Sequence, residues 1–247
     1  MNNDINTGDS FSSRIWIDDQ LCVDSSDLKR KELEEIRYLV GKSKRIYSEG
    51  LRFHKIHDAF YNKYNSNNST VCNTGCKGAI YIIRNPFDIC ISLSNFLNWD
   101  IKTCIKVITD SQFWLNSSNF SCSFHVSQFL GSWDYHIESW LNQNKIPILL
   151  IKYEDLISEP FKNFSKISSF IGFSGKESLI SKAISNSSFT KLRAKEEKEG
   201  GFVESPYGCE NFFRKGKVGE GKKLLTHSQI QSIEKVFYKS LNKFGYN

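Results

Sequence analysis

Residues 79–93 read AIYIIRNPFDICISL, and the reading of this stretch decides the fold. Ala79 to Ile83 is a short run of small, apolar, β-branched and aromatic residues without charge, which predicts a buried strand. Pro86 is well placed to open a helix, and Ile89, Leu93 and Phe96 recur along one side of it. Arg84 stands between the two elements. The carboxyl edge of a parallel sheet is where open α/β folds hold ligands, and a guanidinium there offers a planar fork suited to phosphate. Ser92 follows about two helical turns after Arg84. The same residues also allow a plainer reading, in which Arg84 pairs with Asp88 and Ser92 is an ordinary helix-surface serine.

The composition agrees with an α/β protein. The chain has 247 residues, 39% hydrophobic and 14% aromatic, enough for a sizeable core. Its net charge of +6, from 33 basic and 27 acidic residues, is mild and suits a small anionic ligand as well as nucleic acid. No basic run resembles a nucleic-acid arm, so no nucleic-acid partner is expected. No apolar run reaches membrane-spanning length, so no membrane partner is expected either. Seven scattered cysteines, an odd number, argue against a disulfide framework. Cys72 and Cys76 lack the second pair or nearby histidine that would complete a zinc site, so no metal is expected.

Outward from the opening stretch, strands and helices alternate. Residues 1–13 are polar and expected to be loose, and 14–247 to form the domain. Ser25-Ser26-Asp27 can cap a helix carrying Leu28, Leu33, Ile36 and Leu39. The stretch GLRFHKIHDAF (50–60) predicts a short strand ending at His57-Asp58. An Asn/Ser-rich loop covers 62–78. Residues 100–122 are polar and predict a lid or substrate loop. A helix is expected over 126–143, with Phe129, Trp133, Ile137 and Trp140 on one face. Pro147 to Tyr153 predicts a second buried strand, ending in Tyr153-Glu154-Asp155. Helices are expected near 160–171 and 175–186, and a mobile charged segment over 193–211. Thr226 with Gln229 has capping-box spacing, and Ile230, Ile233, Phe237, Leu241 and Phe244 form the stripe of a last helix. This alternation predicts a mostly parallel sheet flanked by helices. Gly41-Lys42-Ser43 imitates the end of a phosphate-binding P-loop, but Ile36 stands where the earlier glycine is needed, and a helix precedes it instead of a strand.

Four segments, taken in order, resemble the sulfotransferases that use 3′-phosphoadenosine 5′-phosphosulfate (PAPS). They are His54 to Phe60 with its Lys-X-His; Tyr81 to Ser92 with Arg84-Asn85-Pro86; Ile151 to Leu156 with Glu159-Pro160; and Phe213-Arg214-Lys215-Gly216 through Gly219. The resemblance covers about residue 14 onward. It implies a P-loop-NTPase-like α/β sulfotransferase fold, a cytoplasmic enzyme, PAPS as co-substrate and a small-molecule hydroxyl acceptor. In it, Arg84, Ser92, Arg214 and the Lys215-Gly216 backbone would hold the 3′-phosphate, with Tyr153, Ser187 and Phe189 near the adenine. Tyr153 and Phe189 also read as ordinary core aromatics. Sulfuryl transfer needs the acceptor hydroxyl deprotonated as it attacks, and positive charge near the leaving oxygen. The resemblance gives the task of base to His57; Lys55, two residues earlier on the same face of the expected strand, would add positive charge near the sulfuryl group.

The sequence departs from the family in three places. The family opens with a strand and a loop resembling Pro-Lys-Ser-Gly-Thr-Thr-Trp that wraps the 5′-phosphosulfate, and no such stretch occurs here; a fold shortened at the N-terminus is therefore expected. Gly221 stands where relatives often carry Trp. Lys222, Thr226, His227 and Gln231 only partly match a dimer motif, which leaves homo-oligomerisation open. The alternative to an enzyme is a nucleotide-binding remnant without transfer.

Overall fold

The computed structural model describes residues 12–42, 53–61, 63–64, 69, 75–116, 125–173, 175–199, 201 and 211–247. In chain order the helices and strands are α1 (Arg14–Leu21), α2 (Arg30–Lys42), β1 (Ala79–Ile83), α3 (Pro86–Leu97) and α4 (Ile101–Thr109). Next come β2 (Trp114–Leu115), β3 (Gln128–Phe129), α5 (Trp133–Leu141), β4 (Ile148–Lys152), α6 (Tyr153–Ser158) and α7 (Pro160–Phe170). The last are α8 (Glu177–Asn186), α9 (Phe189–Glu199), α10 (Gly221–Leu224) and α11 (His227–Phe244). No described helix is long and apolar enough to cross a membrane. Contacts divide the chain into two compact units. Unit 1 takes the described residues of Met1–Lys77 and Asp110–Pro147; unit 2 takes Gly78–Thr109 and Ile148–Asn247.

In unit 2, β1 and β4 pair in parallel from Ala79↔Ile148 to Ile83↔Lys152. A parallel pair requires a long crossover, and the chain between these strands includes α3, α4 and α5. The expected burial of the whole first strand is corrected. Side chains alternate between faces, so Ile83 is buried, whereas Ile82 points to the open face and is 53% exposed. The helix after β1 also buries a different stripe from the one expected. Phe87, Asp88, Cys90 and Ile91 face inward, because buried Asp88 has backbone partners of its own. The supposed lid holds a regular helix, α4, with Cys104 and Ile108 buried. Asp100 starts it by accepting from the Thr103 N–H at 3.0 Å. The charged segment after 193 is likewise helical as far as Glu199; residues 202–210 lie outside the described residues. The last helix forms as expected, with both halves of the Thr226–Gln229 capping box and Ile233, Phe237, Leu241 and Phe244 buried.

In unit 1, Ile17, Leu33 and Val126 form an apolar cluster beside Trp16, Leu21, Leu28 and Ile36. The inner face of α2 is partly polar. Glu34 and Arg37 are both 1% exposed, while Leu39 turns outward. Arg37 donates to both carboxylate oxygens of Asp58 at 2.7 Å. Two corrections fall here. The described residues 53–60 carry no strand. Their backbone is held instead by side chains and by one ladder-like bond from the Ala59 N–H to the Phe129 carbonyl. The helix expected from 126 begins only at Trp133. Gly131, at φ +64°, breaks the helical path, and Gln128–Phe129 pair antiparallel with Trp114–Leu115.

Candidate functional site

Unit 2 carries the phosphate-binding candidates at the carboxyl ends of its two parallel strands. Asn85 caps α3 by accepting from the Phe87 N–H at 2.9 Å, and Pro86 supplies the first helical residue. This leaves Arg84 at the end of β1. Its guanidinium carbon lies 4.4 Å from the centre of the Tyr153 ring, a cation–π contact typically worth about 0.5–2 kcal/mol. Tyr153 is the first residue of α6, directly after β4. Arg84 and Tyr153 are therefore brought together because their strands are neighbours in register.

The plainer sequence reading paired Arg84 with Asp88, and the geometry corrects it. Asp88 is buried and accepts from the Gly219 N–H at 2.8 Å and the Gly221 N–H at 2.6 Å. Arg84, Asp88 and Ser92 recur every four residues, so Ser92 continues the same side of the helix. Asp88 thus fastens the 211–221 loop to the helix that bears Ser92 and follows Arg84. Gly221 permits this approach: a Cβ there would lie 2.3 Å from the Phe87 carbonyl carbon and 2.6 Å from the Asp88 nitrogen. The glycine that departs from the family pattern is the residue that lets α10 lie backbone to backbone on α3.

The other end of the loop is held as firmly. Buried Glu196 accepts from the Phe212 and Phe213 N–H groups at 2.7 and 3.0 Å. Arg193 donates to the Arg214 carbonyl at 3.0 Å. Phe212 packs edge-on against Phe96 of α3, with ring centres 5.6 Å apart. Gly216 adopts φ +61°, and a Cβ there would fall 2.5 Å from the Phe189 ring, so Phe189 packs directly on the Lys215-Gly216 turn. Arg214 and Lys215 both face Glu220, at 3.6 and 3.3 Å. Ser187 donates to the Ala183 carbonyl at 2.9 Å, a bond that finishes α8 and sets the serine two residues before Phe189. The sequence reading missed Asp88, Glu196 and Glu154, which accepts from the Asn85 N–H at 2.9 Å, as holders of backbone N–H groups. Asp88 had a signal, four residues from both Arg84 and Ser92; Glu154 and Glu196 had none.

Lys55 and His57 belong to unit 1. His57 is exposed and Lys55 half-buried. The backbone after His57 is tightly anchored. The His57 carbonyl accepts from His136 Nε2 at 2.9 Å, and the Asp58 carbonyl accepts from Trp140 Nε1 at 3.0 Å. The Phe60 N–H donates to Ser139 Oγ at 3.0 Å. Desolvation lowers the His136 pKa, with only partial compensation from the His57 carbonyl. Neutral imidazole with its proton on Nε2 satisfies that carbonyl. No described group of three or more His, Cys, Asp or Glu could hold a metal ion. Cys72 lies outside the described residues.

An arginine, a loop of backbone N–H groups and a helix start at the carboxyl edge of a parallel sheet define an α/β protein with a candidate anion site at that edge. A family model of the sulfotransferase domain matches residues 32–245, and the chain belongs to the sulfotransferase family. It is 30% identical over 196 residues to a flavonol 3-sulfotransferase of Flaveria bidentis, covering 74% of this chain and 60% of that one. It is 27% identical over 205 residues to a 3-alpha-hydroxysteroid sulfotransferase of Cavia porcellus, covering 81% and 64%. The chain thus spans about three fifths of the length of these relatives. Among solved structures, mouse sulfotransferase SULT7A1 complexed with PAP superposes with a TM-score of 0.52 at 22% identity, over 67% of this chain and 58% of that one. A retinol dehydratase in complex with androsterone and the inactive cofactor PAP gives 0.51 at 18% identity, over 66% and 47%. These structures share the fold.

Proposed function

We propose that the chain binds PAPS through unit 2 and transfers its sulfuryl group to a hydroxyl of a small-molecule acceptor in the cytoplasm. One observation carries this reading: Asp88, accepting from the Gly219 and Gly221 N–H groups, fastens the loop that carries Arg214–Gly216 to the helix that follows Arg84 and bears Ser92. A 3′-phosphate is a dianion that needs several charge-assisted donors. Arg84, Ser92, Arg214 and the N–H groups of Lys215 and Gly216 provide them, with Tyr153, Ser187 and Phe189 toward the adenine. Arg214 and Lys215 exchange Glu220 for the phosphate when the nucleotide enters.

In the transfer step His57 accepts the proton of the acceptor hydroxyl. The acceptor oxygen forms its bond to sulfur as the bond from sulfur to the phosphate oxygen breaks. The electron pair leaves with 3′-phosphoadenosine 5′-phosphate (PAP), and Lys55 contributes positive charge near the sulfuryl oxygens. The acceptor is a phenol or an alcohol, in keeping with relatives named for flavonols and hydroxysteroids. A second reading, nucleotide binding without transfer, is favoured by the placement of every 3′-phosphate candidate in a unit that excludes His57.

Calorimetry with PAP tests the nucleotide site. Arg84→Ala weakens binding about tenfold or more, the value of a charge-assisted contact, while Lys239→Ala on an exposed turn of α11 changes nothing. Equal affinities for the two variants reject the site.

A further inference from the structure

We propose that Tyr246 and Glu154 are positioning residues for the nucleotide site, forming a latch through which the chain after α11 sets the carboxyl ends of β1 and β4. The proposal rests on reading unit 2 as the 3′-phosphate site. Helix α11 ends at Phe244, and Gly245 reverses the chain at φ +66°. The Gly245 N–H donates to the Asn242 carbonyl and the Tyr246 N–H to the Leu241 carbonyl, at 3.3 and 2.9 Å. This left-handed closure turns the Tyr246 ring inward, where the residue is only 6% exposed.

The Tyr246 hydroxyl donates to Glu154 Oε2 at 2.9 Å, and the other oxygen of that carboxylate accepts from the Asn85 N–H at 2.9 Å. Asn85 follows Arg84, and Glu154 follows Tyr153. One carboxylate therefore ties together the residues next to the two stacked binding candidates. Lys152, the last residue of β4, closes the other side. Its ammonium donates to the Phe244 carbonyl and lies 5.0 Å from the centre of the Tyr246 ring. Burial and the Glu154 carboxylate push the Tyr246 pKa upward, so the phenol stays a donor at any physiological pH. Arg84 must meet a dianion with correct distance and angle. A bond that fixes the adjacent peptide N–H limits its swing at the root of the side chain.

A latch that only stabilised α11 would alter folding and leave ligand discrimination alone. The test therefore compares two ligands on the same chain, PAP and adenosine 5′-phosphate, which differ by the 3′-phosphate. Both draw on the same folded population, so the ratio of their dissociation constants cancels any loss of folding. Tyr246→Phe removes one hydroxyl and keeps the ring. It lowers the preference for PAP about fivefold or more, while affinity for adenosine 5′-phosphate stays within about twofold. Glu154→Ala lowers the preference at least as far, and the double variant loses no more than Glu154→Ala alone, since Tyr246 acts through that carboxylate. An unchanged preference in Tyr246→Phe, equal weakening of both ligands, or additive losses in the double variant each overturn the latch while leaving the nucleotide site standing. A parent chain that binds neither ligand overturns the proposed function, and the latch with it.

Discussion

The polar residues buried on α2 show how much a single side chain decides. Arg37 and Asp58 lock α2 to the segment that carries Lys55 and His57, and removing one partner of such a buried pair typically costs about 3–5 kcal/mol. Glu34 sits one turn away. Desolvation raises its pKa from 4.5 to about 7, against the lowering effect of the Lys63 and Tyr64 N–H groups and Arg37. Folding therefore favours the protonated acid. The stability it contributes is complete below about pH 4.5 and is lost as pH rises to about 7. A shift of this size amounts to about 3 kcal/mol. Glu34→Gln keeps the shape and removes the charge, so it should flatten the pH dependence of unfolding over that window and stabilise the protein at pH 8. Urea unfolding at pH 5 and pH 8 checks this; parallel stability profiles for parent and variant would contradict the assignment.

Among the elements, α3 organises the candidate site. Its N-terminus follows Arg84, its first turn carries Asp88, its second carries Ser92, and Asp88 draws the 211–221 loop onto it. The arrangement depends on the missing side chain at Gly221, where a methyl group would collide with backbone. Gly221→Ala forces the loop away from α3 and breaks its N–H bond to Asp88. Overpacking of this kind costs about 1–3 kcal/mol, and PAP affinity should fall about tenfold, together with a lower melting temperature. Calorimetry and thermal melts measure both; unchanged affinity would mean that the loop binds nucleotide without its anchor.

For the whole molecule, the division of candidates between two units makes a separable prediction. The 3′-phosphate candidates lie in unit 2, and Lys55 and His57 in unit 1. His57→Ala should leave PAP affinity within about twofold while reducing sulfuryl transfer about 10²–10⁴-fold. Transfer of labelled sulfate to a panel of phenols and alcohols, read beside calorimetry, checks the pair of outcomes. A variant that keeps more than about a tenth of the transfer rate assigns His57 a structural role. A variant that loses nucleotide affinity as well would link the two units in binding.

What the sequence determined by itself was local chemistry: an apolar run ending in Arg84, a proline at a helix start, the capped stripe of the last helix, and four motifs whose order marked the family. These signals survive without tertiary contacts because each arises from neighbours a few residues apart. The α4 helix was masked by the polar look of its region, and the strand expected before His57 meets no ladder among the described residues. Only the tertiary structure decided which carboxylates are structural. Asp88, Glu154 and Glu196 accept backbone N–H groups from partners 133, 69 and 17 residues away. A buried carboxylate is tolerated only where such donors meet it, and no local pattern records where a distant loop will bring them.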